Sequence, residues 1–171
     1  MTDQTKTAPK HETSMELRGD SDVVIARTFN APARAVFDAW TKPEFVRRWW
    51  APRSHGVSLV VCDADIRVGG AYRYVMRKDG DDADGDIGFS GRYVELTPHS
   101  RIVLTQIFEP MAEAGEVVIT VSFDEVDGQT HLVSQERYPS KEARDAAVGA
   151  GMEHGMRESM EQLEALVVTL T

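Results

Sequence analysis

The stretch GMEHGMRESMEQLEALV, residues 151–167, decides how the rest of this chain folds. Met152, Met156, Met160, Leu163 and Val167 recur at steps of four, four, three and four, which lays one apolar stripe along a helix. Glu153, Arg157 and Glu161 fall on the opposite side. Ser140 can cap such a helix, so the pattern predicts one long helix over about 141–168. Gly149, Gly151 and Gly155 lie near the stripe, where each weakens a helix by about 1 kcal/mol relative to alanine. Small residues there permit close approach to a neighbour or leave open volume.

Upstream, strand-like runs alternate with turn signals. DVVIARTF (22–29) leads into Asn30-Ala31-Pro32 and two short helical segments, ARAVFDAW and PEFVRRWW. SLVVCDADI, AYRYVMR, GFSGRYVEL, RIVLTQIFE, EVVITVSFDEV and THLVSQERY follow, with Gly69-Gly70, KDGDDADGD, Thr97-Pro98, 110–115, Asp127-Gly128 and Pro139 as stops. Consecutive strands on short loops imply an antiparallel meander. Such a sheet cannot bury its inner face alone, and the terminal helix is its natural cover. The fold class expected is therefore α+β. Residues 1–21, polar and without periodicity, read as a disordered tail ahead of a domain spanning 22–171.

Size and charge narrow the functions. The chain has 171 residues, 42% of them hydrophobic, enough for one domain with a real core. A net charge of −9 argues against nucleic acid, whose phosphates need a basic face. No apolar run approaches the ~20 residues of a membrane span, and the first twenty residues lack an apolar signal core. A cytoplasmic protein is expected. One cysteine, Cys62, excludes an internal disulfide and reads as a small hydrophobe in a strand. The five histidines (His11, His55, His99, His131, His154) show no metal spacing. KDGDDADGD is acidic but lacks the spacing and terminal glutamate of an EF-hand. No phosphate loop or nucleophile elbow is present. Neither a metal nor a cofactor is expected.

Strand alternation sorts the faces. Tyr72, Tyr74 and Met76 share a side that should face inward, with Arg73 and Arg77 outside. Ile102, Leu104, Gln106 and Phe108 form a second inner set; Val117, Ile119, Val121 and Phe123 form a third. On the last strand, Leu132, Ser134, Glu136 and Tyr138 lie on one face and His131, Val133, Gln135 and Arg137 on the other. Spacing alone does not choose between them. If the first is inner, Gln106, Ser134 and Glu136 sit among apolar neighbours. There they satisfy one another and trapped water, or meet a ligand. An inward Glu136 without a basic partner should have a raised pKa and could serve as an acid or base. Glu95, on the side of Tyr93, is a second carboxylate that points either inward or to solvent. The adjacent Trp49 and Trp50 point about 100° apart. One should anchor the short helix, and the other should border a cavity; the pairing of Phe45 with Trp49 assigns the rim to Trp49.

The blocks FNAPARAVFDAWTKPEFVRRWW, DIRVGGAYRYVMR, FSGRYVELTPHSRIVLT, YPSKEARDAA and GMEHGMRESMEQLEALV, covering about 22–168, resemble one family. It is the family named for the activator of the heat-shock chaperone ATPase, within the START-like (SRPBCC) superfamily of birch-pollen-allergen-like folds. The resemblance implies a helix-grip fold: a curved antiparallel sheet wrapped around a long C-terminal helix. Two short helices close one end, and a cavity lies between sheet and helix. It also favours the Glu136 face of the last strand as inner. The expected ligand is small and mostly apolar, aromatic or acyl, of lipid or polyketide type. Trp49, Tyr72, Tyr74, Met76, Tyr93, Leu104, Gln106, Phe108, Ser134, Glu136, Met152 and Met156 would line its site. An enzyme of cyclase, hydrolase or isomerase type using Glu136 is the alternative. A co-chaperone-like ATPase activator is a third; the eukaryotic activator resembles this sequence only in its C-terminal portion and carries a large additional domain, which weighs against that role. A homodimer is left open.

Overall fold

The computed structural model describes residues 12–171. Eight strands form one open antiparallel sheet: β1 (Ser14–Arg18), β2 (Asp22–Phe29), β3 (Val57–Ala64), β4 (Ala71–Lys78), β5 (Ile87–Thr97), β6 (Arg101–Phe108), β7 (Val117–Val126) and β8 (Gln129–Arg137). Their spatial order is β1-β2-β8-β7-β6-β5-β4-β3. Six strands run as the expected meander, and the chain returns to place β8 beside β2. The β7–β8 turn is Asp127-Gly128, both with positive φ (54° and 79°), the tight hairpin that this dipeptide favours.

The helices follow from local chemistry. Helix α1 (Ala33–Thr41) and helix α2 (Pro43–Trp49) close one end, with Pro43 at the first helical position of α2. Helices α3 (Lys141–Gly149) and α4 (Met152–Val167) follow β8. Ser140 Oγ accepts from Ala143 N–H at 3.0 Å and caps α3. The core joins the inner face of the sheet to α1, α2 and α4, with Val23, Phe29, Val36, Val46, Leu132 and Leu163 fully buried.

Two expectations need correction. The long helix over 141–168 is two helices, broken at Ala150-Gly151. Gly151 takes a left-handed φ of 90°, which redirects the chain. Helix α4 alone covers the sheet, and its 16 residues span about 24 Å. The proposed tail also contains structure. Residues 14–18 form β1, paired along β2 from Ser14↔Ala26 to Arg18↔Asp22. An exposed β2 edge supplies the hydrogen bonds that a sequence window without periodicity does not advertise. Arg144, buried on α3, donates to the carbonyls of Gly19 and Asp22 and pins the β1–β2 turn. The part of the expected tail before residue 12 lies outside the described residues.

One glycine sets the sheet's shape near the site. A Cβ on Gly91 would lie 1.8 Å from Thr105 O and 2.9 Å from the Tyr72 ring. Only glycine admits that approach, which lets Tyr72 O–H donate to Thr105 O at 2.7 Å.

Candidate functional site

A cavity of about 320 Å³ lies between α4 and the concave side of the sheet. Helices α1 and α2 contribute Trp40 and Trp49, and Trp50 follows at the end of α2. Strands β4 and β5 contribute Tyr72, Tyr74, Met76, Phe89 and Tyr93. Strands β6 to β8 contribute Leu104, Gln106, Ile119, Ser134 and Glu136. Helix α4 closes it with Met152, Gly155, Met156, Ser159 and Met160. Eleven of the twelve expected site residues therefore border one space. The exception is Phe108. It shares the inner face of β6 but falls at the strand's open end, 40% exposed and set 5.3 Å from Phe89, outside the lining.

The polar groups are few and clustered. Cross-strand pairing puts Val23, Glu136, Ile119, Leu104 and Tyr93 in one row across the sheet, with Ser134 in the next row beside Ile25 and Val121. This settles the face of β8 that faces α4. Tyr138 O–H donates to Glu136 Oε1 at 3.1 Å and approaches Met152 Sδ at 3.7 Å. Burial among apolar walls raises the Glu136 carboxyl to about 7, partly offset by the Tyr138 hydrogen bond. Tyr72 O–H is spent on Thr105 O and Gln106 Oε1, and burial pushes the phenols of Tyr72, Tyr74 and Tyr93 upward. Glu136 Oε2, Ser134 Oγ and Gln106 Nε2 have no hydrogen bond within the described residues. No sealed side-chain polar atom there lacks a partner, so these three keep accessible surface.

The two tryptophans exchange the roles expected of them. Trp49 is 3% exposed; its Nε1–H donates to Ala39 O at 2.8 Å, and its ring packs 4.9 Å from Trp40. It is the anchor, although one side touches the cavity. Trp50 is the wall residue, edge-on to Tyr74 at 5.2 Å and to Phe89 at 4.8 Å. The buried indole goes to the position whose N–H finds a carbonyl.

Glu95 is not in the site. A bulge between Tyr93 and Glu95 shifts the register, so Glu95 pairs with outward Val103 and meets Arg101 at 3.1 Å. Arg73 and Arg77 point outward as expected, onto Glu109 and Asp86. Cys62 is buried, and burial raises its thiol to about 11, which suits a packing role. Sequence reasoning missed Phe89, Trp40 and Trp50 as lining. Phe89 was within reach, since it alternates with Gly91 and Tyr93 along β5.

The family model described as Activator of Hsp90 ATPase homolog 1-like protein matches residues 30–168. The chain belongs to that family. Family membership agrees with the α+β helix-grip architecture above, a fold used in general for holding ligands. Among solved structures, a Rhodobacter sphaeroides protein superposes with TM-score 0.83 at 23% identity, covering 92% of this chain and 99% of its own. A Chromobacterium violaceum protein gives TM-score 0.72 at 27% identity, over 85% of this chain and 96% of its own. A Staphylococcus epidermidis protein gives 0.76 at 26%, over 92% and 95%. No curated protein matches this family member. Among its described residues, no helix is long and apolar enough to cross a membrane.

Proposed function

We propose that this protein binds a small, mostly apolar molecule, aromatic or acyl, in the cavity beneath α4. The observation that carries this is the contrast between the cavity's walls and its polar atoms. Aromatic and methionine side chains border about 320 Å³, a volume at the lower end of small-molecule sites. Three polar atoms, Glu136 Oε2, Ser134 Oγ and Gln106 Nε2, border that space without a hydrogen bond among the described residues. A domain needing only a core would do better with leucine at 106, 134 and 136, because a buried polar group without a partner costs about 1–3 kcal/mol. A ligand with an apolar body and one polar end uses both features. The methionines on α4 suit ligands of varied shape, since the thioether chain is flexible and polarizable.

Titration with a panel of neutral aromatic and acyl compounds tests this. Binding quenches tryptophan emission, because Trp50 forms a wall, and raises the melting temperature with saturable dependence. No saturable response to any member would reject it. A second reading, acid–base catalysis, is favoured by one observation, the Glu136–Tyr138 pair with a carboxyl raised to about 7. On that reading Glu136→Gln abolishes turnover of a neutral substrate while leaving its affinity nearly intact. Equal turnover in the variant would end it.

A further inference from the structure

The cavity has a chemical sign. Its lining holds one carboxylate, Glu136, and no lysine, arginine or histidine. The same cavity is bordered by aromatic rings in contact with one another: Tyr72 lies 5.1 Å from Tyr74 and 5.6 Å from Tyr93, and Trp50 touches Tyr74 and Phe89. Indole and phenol faces attract cations through their quadrupoles, and a desolvated site strengthens that attraction. The same faces repel an anion. From this arrangement we propose, resting on the binding reading above, that the ligand is an organic cation: an amine or quaternary ammonium group on an aromatic or alkyl body, with the charge set against Glu136.

The groups that face Glu136 from each packed element support the assignment. Neighbouring strands present Val23 and Ile119, and α4 presents Met152 and Met156. Ser134 on β8 and Tyr138 just after it flank Glu136, and β4 and β5 line the cavity with Tyr72, Tyr74, Met76, Phe89 and Tyr93, none of them a base. The nearby bases are engaged elsewhere. Arg137 is on the outer face with Asp22, Arg144 holds Asp145 and the β1–β2 turn, and Arg157 pairs with Glu153. Glu136 therefore has an acceptor oxygen for which the described protein supplies no countercharge. A cation supplies it and converts a costly buried carboxylate into a paired one. The net charge of −9 acts in the same direction, drawing cations and repelling anions.

The test uses benzyltrimethylammonium, its uncharged isostere neopentylbenzene and phenylacetate, titrated into the full chain by calorimetry or tryptophan emission. At pH 8 the cation should bind at least tenfold more tightly than the isostere, and phenylacetate most weakly. A cation needs the ionised carboxyl. With that group near 7, its affinity should fall about thirtyfold from pH 8 to pH 5.5, while the isostere's stays constant. Glu136→Gln should remove the cation's advantage, so that cation and isostere bind alike and the cation's pH dependence disappears. The pH series on the unmodified chain stands even if that variant folds poorly. Saturable isostere binding with no cation preference, or with tighter anion binding, overturns the cationic assignment and leaves the apolar-binding reading in place. No saturable binding by cation or isostere overturns both.

Discussion

Replacing Glu136 by glutamine should stabilise this protein increasingly as pH rises. The folded-state carboxyl is raised from 4.5 to about 7 by burial. A carboxyl whose folded value exceeds its unfolded value binds protons more tightly in the native state. Stability from this group is therefore full below about pH 4.5 and is lost as pH climbs through 7. At about 1.36 kcal/mol per unit, the complete loss is about 3 kcal/mol, and the window from pH 5.5 to 8.5 contains about 2 kcal/mol of it. Water reaching the cavity screens part of that, leaving about 1–2 kcal/mol. The amide has the same shape, keeps an oxygen for Tyr138 O–H, and does not ionise. Other titrating groups are common to both proteins and cancel in the difference. Thermal melts of both proteins from pH 5.5 to 8.5 should therefore show the gap widening in favour of the variant, by about 2–8 °C for a domain of this size. A gap that stays flat across that range would show that Glu136 does not titrate there, and the desolvated-carboxylate account would fall.

Two further comparisons probe the scaffold. Trp49→Ala removes a buried ring and its bond to Ala39 O, and should cost about 3–5 kcal/mol in urea denaturation; Trp50→Ala should cost less and mainly abolish the emission response to bound aromatics. Gly91→Ala forces a Cβ against the Thr105 carbonyl and should unfold the β4–β6 region by circular dichroism. Gly155→Ala meets its nearest neighbours, Pro52 Cγ at 3.5 Å and His55 Cε1 at 3.6 Å, at ordinary contact distance and should raise stability by about 0.5–1 kcal/mol.

Much of the fold is legible in residues close together along the chain. Alternation placed Tyr72, Tyr74 and Leu104 inward because a strand's side chains change face at every step. The four-and-three stripe placed the methionines of α4 against the sheet. The Asp127-Gly128 hairpin and the Pro43 helix start are local chemistry with one good solution each. The inward position of Glu136 was a different matter: spacing left both faces of β8 open, and the family resemblance chose between them.

What tertiary structure alone decided depends on partners distant in sequence. Residues 14–18 became a strand because β2 had an edge to fill. Glu95 turned outward because one bulge inverted the alternation that a linear count assumes. Trp49 rather than Trp50 was buried because only its N–H meets the carbonyl of Ala39, on another helix. The break at Gly151 came from a backbone angle that a helical periodicity cannot register. Patterns with a fixed period report which face a residue prefers. The hydrogen-bond partner that completes a polar group is set by packing, and packing is a property of the folded whole.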